Sequence, residues 1–282
     1  MSTLREKRKK ERRALRRRKT ADWTVVLILC AIAVCCGGYL VYHHWSVKQR
    51  ELEYEKMRQE EALSAATETV IAEPETEEST EETVIYCDPV YDFGQLHEQN
   101  EDIYAWIVVP GTQVDYPVLQ SETDNYYLDY NLDHSKGYPG CIYTNNCNQK
   151  DFADYNTIFY GHNMKNGSMF GSIHSFEDET FFDGHPYIYV YTENERLTYE
   201  IYETAKFTDV YIPSEYVVSS KDDRDQFLAD VREKVSDNKL HVREDMQIGE
   251  DDRLITLSTC VNGERNHRYL VIGVLVETAV YR

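Results

Sequence analysis

Two side chains that could carry out covalent catalysis stand where apolar, strand-like segments end. Cys260 closes the segment Thr256–Cys260, His162 follows the segment Thr157–Tyr160, and a polar, glycine-bearing loop comes after each of them. A strand end fixes a side chain in position and the loop leaves it reachable, which is what a nucleophile requires. Because a free thiol is mostly protonated at neutral pH, Cys260 needs a base and a cation beside it. His162 is the candidate base.

The candidate cation is Arg268, which stands at the start of the last apolar segment. Its guanidinium is permanently charged and carries five donors, so it can hold an oxyanion without changing its protonation state. The neighbouring His267 should point to the opposite face of a strand that begins there, so at most one of the two can face the sulfur. Each residue also has an ordinary explanation, since a cysteine after a strand is commonly a buried core residue and an arginine is commonly solvated.

The chain from residue 87 onward has the pattern of a mainly β domain. Short apolar stretches rich in Val, Ile, Tyr and Phe alternate with turn residues, which is typical of strands. The predicted strands are Ile103–Val109, Gly140–Tyr143, Thr157–Tyr160, Tyr187–Tyr191, Arg196–Phe207, Leu254–Leu257 and Tyr269–Val276. Two helices are expected, a short one over Asp92–Glu101 and an amphipathic one over Ser220–Val235, in which apolar residues recur at helical spacing.

The N-terminal region has the composition of a membrane anchor. Residues 1–20 contain 11 Lys and Arg, and Trp23–Tyr42 is a run of 20 uncharged residues, enough for roughly 30 Å of hydrocarbon. The uncharged run predicts a transmembrane helix over residues 21–43. The positive-inside rule then places residues 1–20 in the cytoplasm and the rest of the chain outside the cell. A cleaved signal peptide is the alternative, because Ala31-Ile32-Ala33 resembles a cleavage site, but the apolar run continues past it.

Residues 44–86 are expected to connect this anchor to the domain. Ser46–Ala66 is rich in helix formers of mixed charge and reads as a solvated helix or stalk without chemistry. Thr67–Thr83 holds seven Glu and no Lys or Arg, so it predicts a disordered acidic spacer. The catalytic domain then spans residues 87–282.

Charge and cysteine content exclude several classes of function. Beyond residue 20 the chain carries 19 Lys and Arg against 48 Asp and Glu, a surface that repels nucleic acid. Four of the seven cysteines lie outside the membrane segment, too few for a disulfide scaffold, although a pairing of Cys141 with Cys147 stays open. No Cys and His cluster has zinc-site spacing, so neither a metal nor a cofactor is expected.

Several segments of the domain resemble those of class B sortases. The sequence TLSTC ending at Cys260, followed by Arg268 and YLVIGVLV, is similar to the segment with the family's catalytic Cys and Arg. NTIFYGHNMKNGSMFGSIHSF, residues 156–176, is similar to the segment with its catalytic His, and WIVVPGTQVDYPVLQ, residues 106–120, to its opening strands. The resemblance covers about residues 88–282. GSMF after the histidine and a helix-bearing insertion before TLSTC favour class B over the sortases that build pili.

The resemblance implies a closed sortase-type β-barrel of eight strands with flanking helices, in which His162, Cys260 and Arg268 meet at one end of a groove. The implied enzyme is a cysteine transpeptidase that cleaves a C-terminal sorting motif of a secreted protein through a thioacyl intermediate. It then transfers the acyl group to an amine of a peptidoglycan precursor peptide. Ser258 matches a position that helps to shape the substrate groove. The topology read from the N-terminus, a single-pass protein of the cell membrane with an extracellular domain, agrees with the family.

Two features depart from the family pattern. Cys141 stands where a plain apolar residue is expected, and the step from Cys260 to Arg268 is short. The chemistry is not affected, but the sequence of the sorting motif is not predicted. Two other functions are still open: an extracellular cysteine peptidase that acts by hydrolysis, and an inactive membrane-tethered binding module.

Overall fold

The computed structural model describes residues 2–68, 84–234 and 241–282, and the chain divides into two compact units between Leu52 and Glu53. Helix α1 spans Ser2–Glu68. Within it, Trp23–Gln59 is long and apolar enough to cross a membrane, with an 18-residue window of mean hydropathy 2.5. The side chains from Trp23 to Trp45 are exposed, which suits a surface that faces lipid.

The C-terminal part of helix α1, from Glu53 onward, belongs to the second unit. Ser46–Ala66 is helical, but Tyr54 and Met57 are only 4% and 2% exposed and belong to the core of that unit. The Tyr54 hydroxyl donates to the carbonyl of Gly140 at 3.3 Å. The interpretation of this stretch as solvated throughout is therefore wrong at these two residues. Most of the predicted acidic spacer, residues 69–83, lies outside the described residues.

The described residues of the second unit form ten strands, eight of which close into a ring. The strands are β1 Ile85–Cys87, β2 Ile103–Val108, β3 Asp115–Leu119, β4 Ile142–Thr144, β5 Asn156–Tyr160, β6 Tyr187–Tyr191, β7 Glu195–Thr208, β8 His241–Val242, β9 Leu254–Val261 and β10 Glu264–Tyr281. The ring follows the order β10-β9-β5-β4-β3-β2-β6-β7, and β7 pairs again with β10. The two remaining strands extend it, β1 beside the end of β10 and β8 beside β7. The implied closed eight-stranded barrel is confirmed.

Closure depends on the two longest strands. β7 and β10 pair antiparallel from Glu195 opposite Val280 to Thr208 opposite His267, and two register irregularities bend the ladder. Bulges of this kind increase the local twist, which a ring of strands requires. Large side chains fill the interior, among them Trp106, Phe159 and Tyr269, each 0% exposed. The numerous tyrosines are thus mainly strand residues that pack the barrel.

Helices flank the barrel and cover it on one side. The amphipathic helix α6, Lys221–Lys234, lies between β7 and β9 and buries Phe227 and Val231 in a second core cluster, in contact with the outer face of the sheet. Its predicted last residue, Val235, lies outside the described residues. The other short helices are α2 Phe93–Gln99, α3 Tyr126–Asp129, a 3₁₀ helix Gly171–Glu177, α4 Glu179–Gly184 and α5 Ile212–Glu215.

All seven predicted strands are present, but the last two are longer than predicted. β9 continues four residues past Leu257 and β10 begins at Glu264 instead of Tyr269, because the two strands form a hairpin whose ladder includes polar residues. Cys141 is buried, Cys147 is exposed, and no disulfide joins them, so the pairing left open is not formed.

Glu203 on β7 is a buried carboxyl that pairs with Arg232 of helix α6, and it makes stability depend on pH. Burial raises its pKa from 4.5 to about 7, opposed by Arg232, whose Nε donates to Oε2 at 3.0 Å. The folded chain therefore holds this proton more tightly than the unfolded chain. The contribution of Glu203 to stability is full below about pH 4.5 and is lost as pH rises through about 7.

We predict that Glu203→Gln gains thermal stability relative to the wild type as pH rises from about 5 to about 8, because the glutamine has no proton to lose. The measurement is the Tm of the full chain in detergent, followed by near-ultraviolet circular dichroism. Glu200→Gln, a partly exposed carboxylate on the same strand, is the matched control. A variant that loses Tm relative to wild type over this range would mean that the ionised pair with Arg232 stabilises the fold.

Candidate functional site

Strand pairing brings the three candidate catalytic residues to one edge of three adjacent strands. β5 runs parallel to β9 up to the pair Tyr160 and Ser258, so His162 and Cys260 each lie two residues beyond this last pair. β9 then pairs antiparallel with β10, where Arg268 lies directly opposite Cys260. Directly paired residues in such a ladder have Cα atoms about 4.5 to 5.5 Å apart. His162, Cys260 and Arg268 thus follow one another across β5, β9 and β10.

Hydrogen bonds continue between the two chain segments after β5 has ended. The amide of Gly161 donates to the carbonyl of Ser258 at 3.3 Å, and the hydroxyl of Thr259 donates to the carbonyl of Gly161 at 2.8 Å. Beyond the histidine, Asn163 Nδ2 donates to the carbonyl of Cys260 at 2.7 Å. Bonds on both sides of His162 therefore fix it beside the end of β9.

The Cys260 side chain is accessible. The residue is exposed although the six residues before it on β9 are buried, and its sulfur has no hydrogen-bond partner within the described chain. Its main chain, by contrast, is held on both sides, by the ladder to β10 and by Asn163. The arrangement is that of a reachable nucleophile on a rigid support, and the alternative of a buried core cysteine does not apply.

The His162 ring is oriented by one hydrogen bond and one aromatic contact. Nε2 lies 2.8 Å from the carbonyl oxygen of Leu128, and the Tyr138 ring centroid lies 4.8 Å from that of the imidazole. A carbonyl oxygen only accepts, so Nε2 carries a hydrogen. Nδ1, which has no hydrogen-bond partner among the described residues, is the nitrogen left to exchange a proton.

Arg268 is half-buried and its guanidinium is held at the turn of the β9–β10 hairpin. Nη1 donates to the carbonyls of His267 at 2.9 Å and of Arg265 at 3.2 Å. The guanidinium makes no other hydrogen bond within the described chain, so Nε and Nη2 can serve a ligand. His267 Nδ1 lies 3.0 Å from a carboxylate oxygen of Glu264, which keeps that ring within its own hairpin.

Ser258 lies on the same face of β9 as Cys260, two residues earlier, but it is only 4% exposed. It sits between Tyr160 on β5 and Leu270 on β10. A contact of this side chain with a substrate would be made at the base of a groove.

Burial raises the pKa of the neighbouring Tyr160. Its hydroxyl is buried without a hydrogen-bond partner among the described residues and stays protonated.

Three residues that the structure brings close to Cys260 were not identified from the sequence. Besides Asn163, these are His174 on the 3₁₀ helix, whose Nε2 lies 3.0 Å from the carbonyl oxygen of Cys260, and Glu177, whose carboxylate lies 2.8 Å from His174 Nδ1. His174 stands within the segment that resembles the family's histidine region, but no pattern in the sequence joins a residue on a short helix to a strand end. Among the described residues, no group of three or more His, Cys, Asp or Glu could hold a metal ion.

The loop after His162 is compact because glycine allows close backbone contact. Phe170 N donates to the carbonyl of His162 at 3.0 Å, and a Cβ on Gly171 would collide with the carbonyl oxygen of Met164 and stand 3.1 Å from its nitrogen.

We predict that Gly171→Ala costs about 1 to 3 kcal/mol of stability and lowers kcat, because the loop that carries Asn163 must shift. The Tm measures the loss of stability, and the rate of the reaction at Cys260 measures the change in kcat.

Gly184→Ala is the matched control for this prediction, because a Cβ at Gly184 would meet no atom within 4 Å. This variant should keep the Tm and the rate of the wild type. Equal behaviour of the two alanine variants would show that the close backbone contact at Gly171 does not matter for the site.

Comparisons with known proteins agree with this architecture. The sortase domain family model matches residues 107–276, more than half of the chain. Sortase B of Listeria monocytogenes is 36% identical over 168 residues, which are 58% of this chain and 65% of that protein. Sortase B of Staphylococcus aureus is 26% identical over 261 residues, 91% of this chain and 97% of that protein.

Solved structures give the same result. The crystal structure of sortase B from Clostridium perfringens superposes with a TM-score of 0.59 at 30% identity, and the match covers 66% of this chain and 100% of that one. The chain spans 65% of the length of the Listeria relative, just under two thirds. Together with the closed barrel and the cysteine at the end of β9, these matches show that the chain belongs to the sortase family, among its class B members.

Proposed function

We propose that this chain is a membrane-anchored transpeptidase in which Cys260 is the nucleophile, His162 the acid and base, and Arg268 the oxyanion and substrate clamp. The observation that carries the proposal is the placement of these three residues side by side at the ends of β5, β9 and β10, with Cys260 exposed. The substrates are secreted proteins with a C-terminal sorting motif, and the acceptor is an amine of a peptidoglycan precursor peptide.

In the first half-reaction, the Cys260 thiolate attacks the carbonyl carbon of a threonine in the sorting motif. A C–S bond forms and the carbonyl oxygen becomes an oxyanion, which accepts hydrogen bonds from the free N–H groups of Arg268. The C–N bond then breaks, and protonated His162 gives its Nδ1 proton to the departing amine. A thioacyl enzyme and a neutral imidazole remain.

In the second half-reaction, the acceptor amine attacks the thioester carbon. Neutral His162 takes the proton of that amine at Nδ1, the C–S bond breaks, and the Cys260 thiolate is restored. No redox change and no cofactor are involved. The Nε2 hydrogen bond to Leu128 supports this cycle, because it holds the ring in one orientation while Nδ1 gains and loses the proton.

The proposed location follows from the N-terminal segment. Residues 1–20 are strongly basic and the apolar part of α1 follows them, so the positive-inside rule favours a cytoplasmic N-terminus and an extracellular barrel. Residues 21–43 would anchor the chain in the membrane, close to secreted substrates and to lipid-linked wall precursors. Ser258 is proposed to shape the base of the substrate groove, and the acidic surface excludes nucleic acid as a partner.

We predict that Arg268→Ala lowers kcat by about 10²- to 10³-fold while the fold survives, because a donor to the oxyanion is lost. Arg268→Lys should recover part of this loss, since it keeps the charge but not the planar fork. The measurement is cleavage of a sorting peptide selected from a peptide library by the wild-type chain. Arg265→Ala, which changes an exposed arginine three residues earlier, is the control and should keep the wild-type rate. Wild-type kcat in Arg268→Ala or His162→Ala would refute the assigned roles.

We predict that adding an amine acceptor diverts the thioacyl enzyme from hydrolysis to ligation, since amine and water compete for the same thioester. Mass spectrometry of the products measures the ratio, and Cys260→Ala, which forms no acyl enzyme, gives the background. If hydrolysis persists unchanged at saturating amine, the chain is a cysteine peptidase. If a thiol-reactive sorting-peptide probe leaves Cys260 unlabelled, it is an inactive binding module.

A further inference from the structure

Two polar side chains outside the proposed catalytic trio converge on the main chain of Cys260, and a third holds one of them. Asn163 Nδ2 lies 2.7 Å from the carbonyl oxygen of Cys260 and 3.0 Å from His174 Nε2. His174 Nε2 lies 3.0 Å from the same carbonyl oxygen, and its Nδ1 lies 2.8 Å from Glu177 Oε1. The His174 ring stacks on Tyr269 with centroids 4.9 Å apart and planes at 22°.

The partners of this group determine most of its donors and acceptors. A carboxylate only accepts, so His174 Nδ1 carries the hydrogen that points to Glu177. An amide nitrogen only donates, so Asn163 Nδ2 gives a hydrogen to the Cys260 carbonyl. His174 Nε2 lies within hydrogen-bond distance of both the carbonyl and the amide: with a hydrogen it donates to the carbonyl, and without one it accepts from Asn163. In either state Glu177 holds the His174 ring against the group that binds the Cys260 carbonyl.

The supports of these residues are independent of one another. Asn163 is held by a bridge to Met169 across its loop, and His174 belongs to the 3₁₀ helix that packs on the barrel wall. Tyr269, under the imidazole, is fully buried and pairs with Thr259 on β9. The carbonyl of Cys260 is therefore fixed by groups from a loop, a helix and the neighbouring strand.

We propose that Asn163, His174 and Glu177 form a clamp that positions Cys260 relative to His162. Asn163 directly follows His162, the proposed acid and base, and binds the main chain of Cys260, the proposed nucleophile. The clamp therefore sets the spacing between His162 and Cys260. Its members are positioning residues, since they act through Cys260 and His162. The inference rests on the proposed function.

The same geometry separates the roles of the two histidines near the sulfur. Both nitrogens of His174 are engaged within the clamp and its ring is stacked, so it has no free position for a substrate proton. His162 uses only Nε2 and keeps Nδ1 free. His162 therefore moves protons and His174 holds structure.

The test compares kcat, KM and Tm of variants of the full chain in detergent, with the sorting peptide that the wild type cleaves. His174→Phe keeps a ring for stacking on Tyr269 but loses both polar atoms, and Asn163→Asp keeps the shape but not the donor. Each should lower kcat between about 10- and 100-fold with KM and Tm little changed, since small misplacements of reacting groups are costly. His174→Gln, which retains an acceptor near the position of Nε2, should recover part of kcat.

A double-mutant cycle identifies joint action. His174→Phe combined with Asn163→Asp should cost little more than either alone, because both remove the same grip on one carbonyl. The matched control is His185→Gln. His185, at the C-terminal end of helix α4, is likewise stacked on an aromatic ring, that of Phe181, and hydrogen-bonded to a backbone carbonyl. This variant should keep the wild-type kcat.

The outcomes distinguish failure of the clamp from failure of the proposed function. Wild-type chain that cleaves no sorting peptide overturns the function. Wild-type cleavage together with unchanged kcat in His174→Phe and Asn163→Asp overturns the clamp alone. A loss of kcat that follows a fall in Tm, without recovery in His174→Gln, also overturns it, because the residues would then only maintain the fold.

Discussion

The parallel pairing of β5 with β9 is the constraint on which the site depends. It places the ends of two strands side by side, and the hydrogen bonds of Gly161, Thr259 and Asn163 continue this contact after β5 has ended. A histidine in a free loop would sample many positions and lose conformational entropy when it reached the sulfur. In this fold that conformational entropy is already lost when the barrel forms, so the imidazole and the thiol share one rigid support.

The rest of the barrel supports this contact from the other side. β10 pairs with β9 through Arg268 opposite Cys260, and the same arginine lies opposite Phe207 on β7. Phe207 is buried against the helix α6 cluster, so the strand that carries the guanidinium is packed on its outer face as well. The insertion that contains α6 therefore supports the part of the sheet that carries Arg268.

Local patterns in the sequence located seven of the ten described strands and singled out His162, Cys260 and Arg268 as candidates. Alternating apolar residues and turn signals located the segments around His162 and Cys260, since these signals act within a few residues. The contacts of Tyr54 with Gly140 and of His174 with the Cys260 carbonyl join positions 86 residues apart. Such contacts arise from how the ring closes, and a polar residue on a short 3₁₀ helix has no distinguishing pattern. For the same reason the helix that carries Tyr54 was interpreted as solvated.

β10 pairs with β1, β7 and β9, so it joins segments that lie far apart in the sequence. Ile85 pairs with Ala279, a contact of very high sequence separation. The loop-closure entropy of such contacts must be overcome before they stabilise the fold, which slows folding. Arg268 and the antiparallel partner of Cys260 lie on this strand, so a folding intermediate in which β10 has not yet paired would hold the thiol without an assembled site. Assembly of the site and closure of the barrel therefore depend on the same strand.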